Sequence, residues 1–275
     1  MLKVKSITKE DFLKKYKISL VDPFSTGVFS PADLQAIQRD IGIVGIGKKI
    51  GTIPELIIIL YKEPVRILTH ILPIVKGHFS GIFKYYRNKL RNPRNVYPFS
   101  DYALKASIIS SYNPRRLLEI GTARGWGITT FASVLDNCEC FTMSPKNTYG
   151  ANNELPTKQI GSAFKNKKLG IRQIWNDSLT FDYKSFKKVD VSYIDGNHAY
   201  KWVYSDLVNC NKITKKLILL DDYIPSSDSD RGEVVNWGWW NGDVVKAVRD
   251  YLRKYPSSVK EAYWIIGTPI GVLIK

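Results

Sequence analysis

The chain is poor in cysteine, histidine and methionine, and these shortages exclude several classes of protein. Its three cysteines, Cys138, Cys140 and Cys210, are too few and too scattered for a disulfide framework. Cys138 and Cys140 have no second Cys or His pair downstream, which argues against a zinc site. The basic start of the chain leads into no apolar segment, so we expect no signal peptide and a cytoplasmic location with reduced thiols.

No uninterrupted apolar run is long enough to predict a membrane-spanning helix. Residues 53–75 are mostly apolar, but Lys62, Glu63, Pro64 and Arg66 interrupt them, whereas a spanning helix needs about 20 predominantly apolar residues. Two interpretations stay open. The segment forms two short helices that pack on the rest of the chain, or it lies peripherally on a membrane with basic residues toward the headgroups.

Acidic residues are scarce relative to basic ones. The chain has 41 Lys and Arg against 25 Asp and Glu, a formal net charge of +16. Residues 1–100 hold 17 of the basic and 7 of the acidic residues, so most of the excess lies there. This balance favours an anionic partner such as a membrane, a nucleic acid or a phosphorylated substrate. A well-solvated surface is the alternative, because no nucleic-acid motif accompanies the charge.

From about residue 115 onward, strand and helix patterns alternate. Helices are predicted at 128–135, 200–211 and 243–255. Strands are predicted at 116–120, 139–143, 171–175, 189–194, 216–220, 262–266 and 271–274. The alternation predicts an α/β fold: a doubly wound, mostly parallel, seven-stranded Rossmann-like sheet that ends in an antiparallel hairpin. We therefore divide the chain into a mainly helical basic region, 1–100, of unknown role, and an α/β domain, 101–275.

A glycine-rich turn follows the first predicted strand. Residues 119–127 read EIGTARGWG, which places Gly121, Gly125 and Gly127 at the spacing G-x-x-x-G-x-G. Such a turn lets a ligand approach the backbone closely and leads into a helix with unpaired N–H groups. The spacing differs from the G-x-G-x-x-G of nicotinamide-binding turns. A purely structural turn is the alternative interpretation.

Acidic residues follow two later strands that should be neighbours. Asp195 ends one strand, and Asp221 and Asp222 end the next, so their carboxylates should converge. Carboxylates in one cleft repel one another unless a cation compensates, and oxygen ligands of this kind suit Mg²⁺ or another hard divalent ion. The alternative is that only Asp195 faces the cleft. His198, three residues past Asp195, could take a hydroxyl proton, although a lone histidine can also be structural.

These motifs, in this order and spacing, resemble those of class I S-adenosylmethionine (SAM)-dependent methyltransferases. More narrowly, residues 102–275 resemble the branch of metal-dependent sugar and antibiotic O-methyltransferases and cephalosporin-hydroxylase-like proteins. The resemblance implies a metal site of Asp195, Asp221 and Asp222, with His198 as general base and Asp195 beside it. It also implies a set of residues around the cofactor: Glu119, Gly121, Thr122, Gly125, Trp126, Ser144, Asp177 and Ser178.

One position departs from the family pattern. Ser144 stands at the end of the second strand, where the family usually has an acid that accepts hydrogen bonds from the ribose hydroxyls. A serine can still bond a hydroxyl, but without charge assistance the bond is weaker. The departure leaves open a relative that keeps the fold and has lost methyl transfer.

The resemblance implies transfer of a methyl group from SAM to a hydroxyl of a small molecule, such as a sugar, diol or catechol, with help from a divalent cation. The tryptophan-rich segment 226–241 could form a substrate wall or pack the following helix. The basic N-terminal region supports an alternative, an RNA or lipid-linked substrate. Candidate partners are therefore the hydroxylated substrate, a second copy of the chain, and a membrane or other anionic surface.

Overall fold

A computed structural model describes residues 2–37, 99–146, 148, 149, 154–223, 225, 243–266 and 268–275. The apolar segment 53–75 and the tryptophan-rich segment 226–241 lie outside these residues. The chain divides into two compact units, one of Met1–Val28 with Ala103–Lys275 and the other of Phe29–Tyr102. No helix among the described residues is long and apolar enough to cross a membrane.

Helices and strands alternate along the described chain as the sequence pattern predicts. The helices are α1 (Lys9–Lys15), α2 (Pro31–Ile37), α3 (Phe99–Ser111), α4 (Trp126–Ala132), α5 (Tyr200–Ile213) and α6 (Asp243–Lys254). The strands are β1 (Lys5–Ile7), β2 (Arg116–Ile120), β3 (Glu139–Ser144), β4 (Thr148–Tyr149), β5 (Glu154–Leu155), β6 (Ile171–Trp175), β7 (Val189–Ile194), β8 (Thr214–Leu220), β9 (Glu261–Ile265) and β10 (Gly271–Ile274). Short 3-10 turns lie at Pro23–Ser25 and Thr157–Gln159.

The main sheet is mostly parallel and has the order β1-β9-β10-β8-β7-β2-β3-β6. β2 pairs in parallel with β3 on one side and β7 on the other, and β10 is antiparallel to both β8 and β9. The predicted Rossmann-like sheet with its C-terminal antiparallel hairpin is therefore confirmed. The chain passes from β2 to β3 and β6, then returns to β7 beside β2, which makes the gap between β2 and β7 the switch point of the sheet.

The sheet has eight strands, so the predicted count of seven was wrong. The additional strand is Lys5–Ile7, which pairs in parallel with β9 at the edge of the sheet. A strand of three residues is too short to show a period-2 pattern, and two of its residues are exposed. Its partner is more than 250 positions away, so local sequence carries no signal of the pairing.

The central strands are buried on both faces, because helices cover both sides of the sheet. On one face, Leu104 of α3 and Phe131 of α4 pack in a cluster with Tyr193 of β7. On the other face, Leu207 of α5 and Val248 of α6 pack in a second cluster with strand residues. The two clusters hold the strands in place, so that the loops at their carboxyl ends form the candidate site.

Candidate active site

The carboxyl ends of the central strands are joined by backbone hydrogen bonds that continue past the strands themselves. Gly121 N donates to Met143 O at 2.9 Å, Asp195 N donates to Ile120 O at 2.8 Å, and Asp221 N donates to Ile194 O at 3.0 Å. The glycine turn and the acidic loops therefore start at one edge of the sheet. This edge includes the switch point, where open α/β sheets bind their ligands.

Gly121 is required by close packing at that switch point. Its φ is +105°, and a Cβ built there would lie 1.9 Å from the carbonyl oxygen of Asp195. Gly127, one helical step into α4, is fixed in a similar way, because a Cβ there would lie 2.4 Å from Glu119 Oε1. At these two positions the glycines therefore make room for the protein's own site residues.

Glu119 lies under the glycine turn and is buried. Its carboxylate accepts a hydrogen bond from Thr142 Oγ1 at 2.5 Å, and the Thr142 hydroxyl is 2.8 Å from that of Thr122. Burial raises the pKa of Glu119 well above its ordinary value, an effect that the bond from Thr142 and the backbone N–H of Ile128 oppose. The predicted cofactor residues Glu119 and Thr122 thus belong to one buried polar network.

Ser144 joins the same network through a residue that the sequence did not single out. Gln173 Nε2 on β6 donates to Thr122 Oγ1 at 3.0 Å and to Ser144 Oγ at 3.3 Å. Gln173 Oε1 is buried and has no hydrogen-bond partner among the described residues. The end of β3 is thus lined by neutral hydroxyl and amide groups where the family usually has an acid.

Gly125 and Trp126 form the start of α4. Gly125 has a left-handed φ of +83° and caps the helix without a side-chain bond, and Trp126 is buried. The turn before them is held by a neighbouring loop, in which Gly161 N and Ala163 N donate to the carbonyls of Ala123 and Arg124, each at 2.9 Å. The glycine turn is therefore held by backbone hydrogen bonds from this loop as well as from the sheet.

Asp177 and Ser178 follow β6 at the same edge of the sheet. Asp177 Oδ1 accepts from Leu179 N at 2.9 Å, which closes a tight turn. Ser178 is buried beside Asp206 of α5, another residue that the sequence analysis passed over. Burial raises the pKa of Asp206 to about 7, with Ser178 opposing the rise and Asp177 adding to it.

Two of the three acids predicted to converge, Asp195 and Asp221, meet around the buried hydroxyl of Tyr193. Tyr193 Oη lies 3.0 Å from Asp195 Oδ2 and 2.8 Å from Asp221 Oδ2. Lys105 of α3 reaches the same place, with its ammonium 2.6 Å from Asp221 Oδ2 and 3.4 Å from Tyr193 Oη. The cluster thus contains a buried basic residue in addition to its acids.

His198 lies between two of the acids. Its Nε2 is 3.1 Å from Asp222 Oδ2 and 3.6 Å from Asp195 Oδ1. These three side chains are partly exposed, and one ligand atom from each lies within 4.8 Å of the others, which suits a metal ion. The metal-compatible group differs from the predicted one, because it includes His198, whereas Asp221 faces Lys105.

The charges of the cluster shift one another's pKa values in opposite directions. Burial raises the pKa of Asp195, and Asp221 raises it further. Burial also raises the pKa of Asp222, to about 7, although His198 opposes the rise. Burial would raise the pKa of Asp221, but Lys105 and Tyr193 hold it below its ordinary value. Burial lowers the pKa of His198, yet the surrounding acids outweigh that effect and bring it to about 9.

Besides Asp206, three residues of the site were not predicted from the sequence: Lys105, Tyr193 and Gln173. Only Lys105 carries a local signal, because it is the one charged residue among the otherwise uncharged 103–111. A lysine placed in a buried helix calls for a partner. Tyr193 and Gln173 lie inside strands, where a single polar residue looks like an ordinary member of the sheet.

Residues 118–223 match the model of a protein family described as a methyltransferase domain. The match runs from β2 past β8, so it includes the glycine turn, Asp195, His198 and both acids after β8. The predicted resemblance to SAM-dependent methyltransferases is thereby confirmed. Residues 118–223 are therefore similar to a methyltransferase domain, and they lie on the sheet described above.

The search among curated proteins finds no match. Several solved structures are similar at low identity. An O-methyltransferase from Bacillus cereus in complex with S-adenosylhomocysteine (SAH) is 12% identical, with 78% of this chain and 100% of that chain covered and a TM-score of 0.47. TomG from Streptomyces achromogenes, an O-methyltransferase in complex with SAM, is 15% identical, with 68% and 85% covered and a TM-score of 0.47. A methyltransferase from Podospora anserina with bound SAH is 18% identical, with 66% and 83% covered and a TM-score of 0.45.

Proposed function

We propose that the protein transfers the methyl group of SAM to a hydroxyl oxygen of a small molecule. One observation carries the proposal: the glycine turn after β2 and the acids after β7 and β8 meet at the switch point of a methyltransferase domain. The reaction is an in-line displacement. The substrate oxygen attacks the methyl carbon, the carbon–sulfur bond breaks, and SAH leaves with the electron pair of that bond.

The neutral network at the ends of β2, β3 and β6 supports a cofactor site. The turn at Gly121 and Gly125 would receive the methionine part, and Asp177 with Ser178 would border the adenine. Ser144 and Gln173 would face the ribose, because Gln173 Oε1 is an acceptor without a partner among the described residues and ribose hydroxyls are donors. The protein's main contribution would be to hold SAM and acceptor in line at about 3–3.5 Å.

The acid cluster fits a divalent cation. Asp195, His198 and Asp222 bring two carboxylates and an imidazole within 4.8 Å of one another. Burial raises the pKa of both acids, and the neighbouring Asp221 raises it further. When bound, such a cation would polarise the hydroxyl of an acceptor and lower its pKa. The acceptor classes that suit this site are sugars, diols and catechols.

When no cation is bound, His198 and Asp222 would receive the hydroxyl proton as a pair, because a bound cation would occupy the same imidazole nitrogen. His198 has a pKa of about 9 beside these acids, so it holds its proton at neutral pH and becomes a base as the pH rises. Asp195 lies beside the same imidazole nitrogen, Nε2, at 3.6 Å and would help to orient the ring. Asp195 and Asp222 would fix the orientation of the histidine ring. Tyr193 contacts Asp195 and Asp221, and Lys105 pairs with Asp221.

Methyl transfer is tested with SAM labelled in its methyl group and a panel of sugars, diols and catechols. We expect a labelled methyl ether from at least one acceptor class and no product from Asp222→Asn. Asp136→Asn, which removes an exposed acid after α4, is the matched control and should behave like the wild type. A panel in which the control and the wild type both give no product, although SAH binds, would contradict transfer to these acceptors.

A further inference from the structure

Lys105 is a buried lysine inside the proposed site. Its side chain is only 4% exposed, and it extends from α3 between the apolar neighbours Leu104 and Ala106. An ammonium group is costly to bury unless it is paired and hydrogen bonded. Here it lies 2.6 Å from Asp221 Oδ2 and 3.4 Å from Tyr193 Oη. The fold therefore places a positive charge beside the carboxylate of Asp221.

Both oxygens of that carboxylate are engaged. Asp221 Oδ2 accepts from Lys105 and Tyr193, and Asp221 Oδ1 accepts from the backbone N–H of Asp222 at 3.1 Å. Its side chain is 15% exposed, half the 30% of Asp195. Asp221 is thus turned toward the protein interior.

The other two acids have a different neighbour. Asp222 Oδ2 and Asp195 Oδ1 lie 3.1 Å and 3.6 Å from His198 Nε2. Each of these three side chains keeps an exposed part of 20–30%. The acid cluster therefore has two parts. In one part Asp221 is paired with the ammonium of Lys105, and in the other Asp195, Asp222 and His198 offer metal-binding atoms that are open to solvent.

We propose that Lys105 is a positioning residue that acts as the built-in cation of the site. It holds Asp221 as its counter-ion, so that a divalent cation is bound by Asp195, His198 and Asp222, with Asp221 outside the ligand set. This inference rests on the proposed function, since it concerns the cation of the same site. A mixed imidazole and carboxylate set suits Mn²⁺ better than Mg²⁺, which prefers oxygen ligands alone.

The test measures Mn²⁺ binding to the chelator-treated full chain, from the electron paramagnetic resonance signal of free Mn²⁺. The key variant is the double substitution Lys105→Met with Asp221→Asn, which removes one charge of each sign and leaves the net charge of the site unchanged. We expect it to retain the wild-type Kd for Mn²⁺ within about tenfold, the lower end of what the loss of a contact around the ligands costs, because it alters no ligand. Asp195→Asn and Asp222→Asn should each weaken binding by about thirtyfold or more, since each removes a ligand.

Thermal unfolding without metal supplies the second readout. Lys105→Met and Asp221→Asn should each lower Tm, because each leaves a buried charge unpaired, and the double variant should recover most of the loss. Lys187→Met, at an exposed lysine before β7, is the matched control and should leave Tm unchanged. If a single variant fails to fold, comparing the Mn²⁺ affinities of the double variant and Asp222→Asn still tests the proposal.

The proposal is overturned if the double variant loses Mn²⁺ as strongly as Asp222→Asn, if the single variants leave Tm unchanged, or if the wild type binds no Mn²⁺. A calorimetric titration of the same samples with SAH separates this inference from the proposed function. If SAH does not bind but the Mn²⁺ affinities change as expected, methyl transfer would be contradicted, whereas the proposed role of Lys105 would stand.

Discussion

The two halves of the candidate site differ in the kind of polar group that they use. At the ends of β2, β3 and β6, the groups that face one another are mostly neutral hydroxyls and an amide, namely Thr122, Thr142, Ser144 and Gln173. At the ends of β7 and β8, they are charged, with three acids, a histidine and a lysine. A neutral half suits the uncharged ribose and adenine, and a charged half suits a cation and a hydroxyl that loses its proton.

The difference has energetic consequences. A neutral hydrogen bond contributes about 1 kcal/mol net, and one to a charged group contributes about 1.5–3 kcal/mol. Substitutions in the neutral half should therefore weaken cofactor binding by modest factors. Substitutions in the charged half should produce larger, pH-dependent effects on chemistry while they leave cofactor binding in place.

The largest effect is expected at Gly121, where the halves meet. Gly121→Ala should lower the free energy of unfolding by more than about 3 kcal/mol, because the new Cβ combines steric overlap with an unfavourable positive φ. Gly170→Ala is the control, since Gly170 also has a positive φ, +65°, but has nothing within 4 Å of the added Cβ. Urea unfolding of both variants measures the difference. Equal losses would show that backbone strain alone matters at Gly121.

Asp206 is a buried acid behind the neutral half of the site, and its pKa of about 7 makes folding depend on pH. Its pKa is raised above the unfolded value of about 4, so the folded state binds the proton more tightly and stability falls as pH rises from about 4 to 7. The loss is at most about 4 kcal/mol and is complete above pH 7.

Asp206→Asn should remove this loss and raise Tm at pH 8 relative to the wild type, with little change at pH 4. Asp136→Asn, at an exposed acid after α4, is the control. A Tm gain that is equal at both pH values would contradict the raised pKa.

In the charged half, the rate of methyl transfer should rise with pH. Without a bound cation His198 has a pKa of about 9, so about 1% of it is neutral at pH 7 and about half at pH 9. The rate should therefore increase roughly 50-fold between these pH values if its neutral form is the base. Initial rates with SAM and the best acceptor measure this dependence. A flat profile between pH 7 and 9 would exclude His198 as the base.

The smallest effect is expected at Gln173. Gln173→Ala should weaken SAH binding about fivefold to tenfold, because it removes about one neutral hydrogen bond to the ribose and the support of Ser144. Arg172→Ala, at the exposed neighbour on the same strand, should leave the affinity unchanged. An unchanged affinity for Gln173→Ala would place the ribose elsewhere.

The fold was largely predictable because its strands and helices have strong local periodicity. Four predicted strands, 116–120, 171–175, 189–194 and 271–274, coincide with the observed Arg116–Ile120, Ile171–Trp175, Val189–Ile194 and Gly271–Ile274. The edge strand Lys5–Ile7 was missed, since its pairing with β9 depends on the closed tertiary structure rather than on local pattern.

The site was predictable only in part. The convergence of Asp195, Asp221 and Asp222 follows from strand order, and the structure brings them together. The pairing of Asp221 with Lys105 could not be predicted, because it requires a helix more than 100 positions away to pack beside β7. The positions of residues at the ends of neighbouring strands can be predicted from strand order, whereas side-chain contacts between a helix and a strand of separate layers cannot.

The central claim is that the switch point of this sheet binds the methyltransferase cofactor. Calorimetric titration of the wild type with SAH, with and without Mn²⁺, tests it most directly. We expect one molecule bound per chain with a Kd of about 1–100 μM, and Asp222→Asn should retain that affinity because its change lies in the charged half. Absence of SAH binding under both conditions would contradict the account and indicate a methyltransferase fold that has lost its cofactor.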